Sequence, residues 1–307
     1  MKVIHHAKDL GNGSRNVCLA IGVFDGVHLG HQQIIRQTIA DARQHDALAV
    51  VITFDRHPNA VVAPDRVPPQ IFSRSQKLQA IAALGADALL EIHFDQEFSE
   101  QSGETFIRGL VFGAGRIKSI CVGADFVFGH KRSGNVELLR RLGKEMGFQV
   151  HGMAAVALDG QPVSSTLIRE MIRAGNFDAA SQMLGRAYAI CGKVVKGDQV
   201  GQTIGFPTAN LDVAQLILPP NGVYAACTEL EGKFYRVALN IGVRPTVATG
   251  RPELRVEAHL LDFSGDLYDR EIELQLLAKL RDERRFGTVD ELRQQIAYDV
   301  TSVRALD

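Results

Sequence analysis

Two histidines three residues apart, His28 and His31, close the run GVFDGVHLGH from Gly22 to His31. The run follows a short apolar stretch, Val17 to Ile21, and leads into a helical pattern from Gln32 to Arg43. A buried strand, a glycine-rich turn and a helix start in that order present backbone N–H groups to an anion. At that spacing both imidazoles can point the same way and donate hydrogen bonds to phosphate oxygens. Gly30 lies between them, where a side chain would hold a ligand off the backbone. No G-x-x-x-x-G-K-[ST] occurs in the chain, and no G-x-G-x-x-G follows a strand, so the turn is neither a Walker loop nor a dinucleotide fingerprint. Phosphate handling is the favoured reading. A plain structural turn is the second reading; a metal-binding His pair is the third, against which no Cys or carboxylate lies nearby at ligand spacing.

A hydroxyl cluster, Ser164-Ser165-Thr166, opens a second helical stretch with Arg169 on the same side. Taken alone it is equally a helix cap with a surface arginine. Its place after the last strand of the same alternating series makes it a second phosphate site. In the other half, the run GQTIGFPTANL spans Gly201 to Leu211, and the three glycines Gly197, Gly201 and Gly205 make a loop that can close over phosphates. Thr208 and Asn210 are two apart, so in extended chain they face one way and offer neutral oxygens suited to Mg²⁺. A polar turn fixed by Pro207 is the alternative. Asn240 to Thr246 reads as another polar turn. In Arg255 to Asp262, Glu257 and His259 alternate with Val256, Ala258 and Leu260, so Glu257 either looks into a site or sits on a solvated strand face.

The elements that must position these residues fall into two rhythms. Apolar runs at 17–21, 47–54, 88–92, 117–122 and 148–156 alternate with helical patterns at 32–43, 74–84, 103–112 and 136–146. That alternation predicts a parallel sheet covered on both faces, with ligands beyond the carboxyl ends of its strands. Helices at 166–173 and 177–184 follow. Strand signals then crowd together at 188–195, 223–230, 233–241, 255–261 and 271–280, with Glu231-Gly232 as a two-residue hairpin loop and a helix at 288–302. The expected fold is therefore an N-terminal Rossmann-like α/β domain over residues 1–184, followed by a small antiparallel β-barrel with a C-terminal helix over 185–307.

Composition narrows the partners. The formal net charge is −1, which gives no electrostatic case for nucleic acid or an anionic membrane, and no hint of a protein partner. Cys18, Cys121, Cys191 and Cys227 form no C-x-x-C, which argues for reduced thiols. The segment Met1 to Leu10 is charged and has no apolar core, so it does not read as a signal peptide, and no apolar stretch is long enough to span a bilayer. A cytoplasmic protein is expected.

GVFDGVHLGH together with SSTLIR (Ser164 to Arg169) resembles the H-x-G-H nucleotidyltransferases. TFDRHP (Thr53 to Pro58) and VGADFVFG (Val122 to Gly129) narrow the resemblance to the bacterial FAD synthetase branch. GFPTANL, GVYA (Gly222 to Ala225), NIGVRPT and VEAHLLD (Val256 to Asp262) resemble bacterial riboflavin kinases. In this order the motifs cover almost the whole chain, as in bifunctional riboflavin kinase/FAD synthetases. The resemblance implies that the barrel phosphorylates riboflavin to FMN with Mg-ATP, and that the α/β domain transfers the adenylyl group of ATP to FMN, giving FAD and pyrophosphate. For the second step it implies ATP contacts from Gly22, Phe24, Asp25, Gly26, His28 and His31, with Ser164, Ser165, Thr166 and Arg169 on the outer phosphates. FMN would lie near Asp55, His57, Pro58, Asp125, Phe126 and Phe128. For the kinase it implies ATP contacts from Gly201, Gly205, Phe206, Pro207, Thr208 and Asn210, Mg²⁺ at Thr208 and Asn210, and Glu257 as base. Arg56, Gln76 and Val247 depart from the family's usual proline, glutamate and phenylalanine.

Overall fold

The computed structural model describes residues 1–10, 15–197, 200–245 and 252–306, so Thr246 and Val247 lie outside the described residues. By contact the chain divides into two compact units: residues 1–69 with 74–165, and residues 70–73 with 166–307.

The first unit is built on six parallel strands, β1 (Lys2–Ile4), β2 (Asn16–Ile21), β3 (Ala47–Phe54), β4 (Ala88–Ile92), β5 (Arg116–Gly123) and β6 (Gln149–Met153). Their order across the sheet is β1-β4-β3-β2-β5-β6. Leu19, Ile21, Val50, Ile52, Ile120 and Val122 are all buried in one core cluster, as continuous apolar strands covered by helices require. Those helices are α1 (Leu29–Gln44), α2 (Arg74–Ala83), α3 (Gly103–Ala114) and α4 (Val136–Met146). Local chemistry sets their ends. Ser102 caps α3 through the Thr105 N–H, Asn135 caps α4 through the Leu138 N–H, and Gly147 ends α4 at φ 83°. Chain direction reverses between β2 and β5: from β2 the strands run out to β3 and β4, then return to β5 and β6. Ligands of open parallel sheets bind at such a switch point, and the GVFDGVHLGH turn leaves the carboxyl end of β2.

Two differences from the sequence expectation stand out in this unit. The three-residue edge strand β1 was not expected, because it is too short to show a pattern and exists only by pairing with β4. The strand expected over 148–156 stops at Met153, where its pairing with β5 ends.

In the second unit, α5 (Ser165–Arg173) starts at the last residue of the first unit and leads to α6 (Phe177–Leu184). A closed antiparallel barrel follows, made of β7 (Ala189–Val195), β8 (Ala209–Asp212), β9 (Gly222–Leu230), β10 (Lys233–Pro245), β11 (Pro252–Leu260) and β12 (Glu271–Arg281). The strand order is β7-β8-β11-β10-β9-β12, with β12 closing back on β7. Glu231 and Gly232 make the two-residue hairpin, both at positive φ (53° and 77°), as a right-twisted hairpin demands. Val237, Leu239, Ile241, Val256, Ala258 and Leu274 are buried and fill the interior. Outside the barrel, α7 (Val289–Arg304) packs Val303 against Ala225 and Leu261. Residues 166–184, placed with the α/β domain by the rhythm of the sequence, cluster with the barrel. Phe177 of α6 stacks on Tyr188 (5.9 Å) and meets Tyr224 (5.8 Å), and the Ser181 hydroxyl accepts from the Tyr188 N–H.

Candidate active sites

The turn after β2 is tightly built. Gly22 N–H donates to the Ile52 carbonyl, and the Thr53 hydroxyl donates to the Val23 carbonyl at 2.9 Å. Phe24 (φ 54°), Gly26 (φ 78°) and Val27 (φ 39°) all adopt left-handed backbone, and Phe24 and Val27 are buried. For a phenylalanine and a valine that conformation is strained, and such strain gathers at functional sites. The half-turn ends with His28 as the N-cap of α1, its Nδ1 accepting from the His31 N–H at 3.4 Å. That acceptor role leaves the His28 ring proton on Nε2. The two imidazoles stack, with centroids 3.6 Å apart and planes at 21°, and Phe24 meets His31 edge-on at 5.2 Å. Gly30 makes room for the stack: a Cβ there would lie 3.2 Å from His28 Cε1. Desolvation, and after it the neighbouring His28, holds His31 well below the usual imidazole pKa, so it is neutral in the free protein. Its Nδ1 is buried with no hydrogen-bond partner among the described residues.

The neighbouring elements carry the other expected residues. Asp25 is buried, and its carbonyl accepts from the hydroxyl of Ser165, the last residue of the same unit, at 3.1 Å. Ser164 stands just ahead of α5; exposed Thr166 and buried Arg169 belong to the second unit. Asp55, one residue beyond β3, is engaged by its surroundings. Burial alone would raise its pKa, but the Phe94 N–H (3.0 Å), Arg56 and His93 (2.7 Å) hold it at about 2. His57 Nδ1 accepts from the Asn59 N–H, and Pro58 precedes the short helix Asn59–Val62. Asp125 is exposed beyond β5. Phe126 and Phe128 stack at 5.1 Å and pack on the core, with Phe128 closing over Gly134 and Gly103. The turn after β2 and the segment after β5 therefore flank the switch point.

The barrel holds a cavity of about 670 Å³ on its outer wall, roofed by α7. One cross-strand row runs along its floor: Asn210 pairs with Glu257, Glu257 with Asn240, Asn240 with Val223, and Val223 with Arg281. All five line the cavity, with Gly201, Phe206, Thr208 and His259. Residues paired across adjacent strands share a face, so the register collects a carboxylate, two amides and a guanidinium in one line. The apolar alternates Val256 and Ala258 point into the barrel. Among the described residues Glu257 has no hydrogen-bond or ion-pair partner, whereas Asp299 of α7 is held by Arg281 through bonds of 3.0 and 2.7 Å. Glu283 also lines the cavity but is exposed, lying over Gly242.

The glycine loop contains a helical turn, Val200–Thr203, and Gly205 takes φ 90°. A Cβ on Gly197 would collide with the Asn210 amide. One on Gly201 would strike the Phe206 carbonyl and approach Thr208 Oγ1 to 3.2 Å. His259 Nδ1 donates to the Pro207 carbonyl at 2.7 Å and so anchors the FPT segment. Asn240 to Pro245 is not a polar turn: the β10–β11 ladder runs on to Pro245, placing Asn240 in the floor row. Sequence patterning missed Asn240, Arg281 and Asp299, since only strand register reveals that they share a cavity.

Comparison with known proteins adds independent findings. Residues 12–167 match the family model described as FAD synthetase, and residues 184–306 the one described as riboflavin kinase. The chain is 38% identical to a bifunctional riboflavin kinase/FMN adenylyltransferase of Escherichia coli K12, over 99% of this chain and 97% of the relative. Its identity to a protein of the same name from Pseudomonas fluorescens is 36%, over 100% and 98% of the two chains. A solved Streptococcus pneumoniae structure, described as a macrolide-efflux protein, superposes with a TM-score of 0.82 at 28% identity over 99% of each chain. No helix among the described residues is long and apolar enough to cross a membrane.

Proposed function

The chain belongs to the bifunctional riboflavin kinase/FMN adenylyltransferase family, and on that premise we propose which residues carry each of its two reactions. In the first, riboflavin is phosphorylated by ATP; in the second, the FMN formed is adenylylated by ATP to FAD.

For the kinase, the riboflavin 5′-hydroxyl oxygen attacks the γ-phosphorus of ATP, the bond to the β-phosphate oxygen breaks, and ADP leaves. The hydroxyl proton goes to Glu257. The observation that carries this assignment is the Glu257 carboxylate, without a partner among the described residues, in the cavity floor between Asn210 and Asn240. Gly201, Gly205, Phe206 and Pro207 form the loop over the ATP phosphates, and His259 fixes that loop's position. Thr208 and Asn210 offer neutral hydroxyl and amide oxygens beside a carboxylate, a donor set that suits hard Mg²⁺ whose remaining ligands are phosphates and water. They would hold the ion, which when bound supplies charge neutralisation on the transferred phosphate. Arg281, locked by Asp299, places a fixed positive charge at the end of the same row.

The adenylyl transfer needs no base, because the nucleophile is already an FMN phosphate oxygen. It attacks the α-phosphorus of ATP as the bond to pyrophosphate breaks. The site must supply donors aimed at charge that develops on phosphoryl oxygens. His28 offers its Nε2–H there, and neutral His31 gains a proton, and a second donor, as the polyphosphate approaches. Gly22, Phe24, Asp25 and Gly26 shape the cradle. Ser164, Ser165, Thr166 and Arg169 hold the phosphates that leave, and Asp55, His57, Pro58, Asp125, Phe126 and Phe128 border the flavin. Asp55 acts there through its bonds to Phe94 and His93, as a fixed wall. A cytoplasmic enzyme working on small molecules without a protein partner accords with a net charge of −1.

Incubating the purified chain with riboflavin, ATP and magnesium and separating the flavins tests the scheme. FMN should appear first and FAD later, with both absent when ATP is omitted. FAD from supplied FMN but no FMN from riboflavin would remove the kinase assignment.

A further inference from the structure

Two cations three residues apart on α2 reach the ends of adjacent strands beneath the phosphate turn. Arg74 donates to both oxygens of buried Glu91 in β4, at 2.8 and 2.6 Å. Glu91 pairs in register with Thr53 of β3. One helical turn on, Lys77 Nζ donates to the Phe54 carbonyl at 3.1 Å and to Thr53 Oγ1 at 3.4 Å. Thr53 is fully buried and passes the connection on: its hydroxyl donates to the Val23 carbonyl, inside the turn that carries His28 and His31. Helix α2 also packs directly against the Asp25–Val27 half-turn. Burial lowers the Lys77 pKa, Arg74 adds to the lowering, and Glu91, Asp25 and Asp55 oppose it.

No sequence motif singles out Lys77, and its hydrogen bonds go to Thr53 and Phe54, not to the side chains of the expected ligand contacts. What it touches is the support of a turn that holds Phe24 and Val27 in left-handed backbone. Strained conformations persist only where their surroundings over-determine them. We propose that Lys77 is a positioning residue for adenylyl transfer: its ammonium, relayed through Thr53 to the Val23 carbonyl, braces the H-x-G-H turn so that His28 and His31 stay aimed at the reacting phosphates. This rests on adenylyl transfer taking place at that turn.

The test uses the full chain and follows both reactions on one preparation. Lys77→Met keeps the length of the stem and removes the charge. Because small misplacements of catalytic groups are expensive in rate, kcat for FAD formation from FMN should fall about ten- to a hundredfold, with KM for ATP within about threefold. The kinase step should run at the parent rate, and Lys77→Arg should recover most of the lost kcat. A side chain that only stabilised the fold would lower the melting temperature and leave kcat of the folded enzyme unchanged. Parent-like kcat in Lys77→Met, a loss confined to KM, or no rescue by Lys77→Arg would each overturn the proposal. Should Lys77→Met not fold, Thr53→Val decides: it breaks the relay at nearly constant volume, and parent-like FAD formation there overturns the brace. A parent chain that makes no FAD from FMN would instead overturn the assignment of the reaction to this turn.

Discussion

The turn after β2 and the floor of the barrel cavity, the sites proposed for the two ATP-dependent reactions, are built by opposite means. In the turn, the groups assigned to chemistry are two stacked imidazoles and backbone, held by buried and strained residues next to each other in sequence. In the cavity, the corresponding groups are a carboxylate, two amides and a guanidinium gathered from four strands by register. The difference follows from the nucleophiles. A phosphate oxygen attacks unaided, so its site needs only donors for developing charge; a hydroxyl must lose a proton, so its site needs a base. Local sequence can encode the first arrangement in ten residues, whereas the second exists only once a barrel has closed.

Removing a donor should give the largest effect. His31→Ala takes a ring from the stack and should slow FAD formation by about 10²–10³, the cost of a lost oxyanion donor, with FMN formation intact. FAD production near the parent rate would return the pair to a structural turn. Glu257→Gln keeps size while removing basicity, and should cost about 10² in kinase turnover, the low end for general-base catalysis because phosphoryl transfer is loose at the nucleophile. Glu283→Gln, on the exposed carboxylate of the same cavity, serves as its control and should stay within about twofold by comparison, since it removes no assigned base.

The third prediction concerns what each site needs around it. A fragment beginning at Thr166 should be more stable than one beginning at Gly185, because the shorter one loses Phe177 from Tyr188 and Tyr224. Losing a buried Phe costs about 3–5 kcal/mol, and denaturant unfolding of the two fragments reads the difference. Equal stability would show that α6 contributes nothing to the barrel. The smallest effect is in protons. His31 has a depressed pKa in the free protein, and bound phosphates raise it, so ATP binding takes up protons in the window between the two values. Calorimetry near neutral pH in buffers of different ionisation enthalpy should show more protons taken up on ATP binding by the parent than by His31→Ala. Equal uptake would mean His31 stays neutral beneath the phosphates.

Much of the fold was legible in the sequence because it rests on local pattern. The buried runs of β3 and β4, the helix α4 with its terminal glycine, and the Glu231-Gly232 hairpin all have signals within their own residues. The edge strand β1, the order of the parallel strands, and β8 as a full member of the barrel depend on partners far along the chain, so no window of sequence contains them. The candidate sites divide the same way. The His28/His31 pair was visible as a motif, while Asn240 was hidden in what read as a turn and Lys77 in a helix that carries no motif. Residues 166–184 looked like the end of the α/β series because their rhythm continues it; the aromatic contacts that tie them to the barrel lie across the fold.

Mixing two defective chains tests the separation of the sites most directly. His31→Ala and Glu257→Gln are each expected to stall between riboflavin and FAD, one after FMN and one before it. Combined in equal amounts with riboflavin, ATP and magnesium, they should restore FAD formation to near the parent rate, with free FMN accumulating and then being consumed. A mixture no faster than the sum of its two parts would contradict the account of two chemically distinct, separately acting sites.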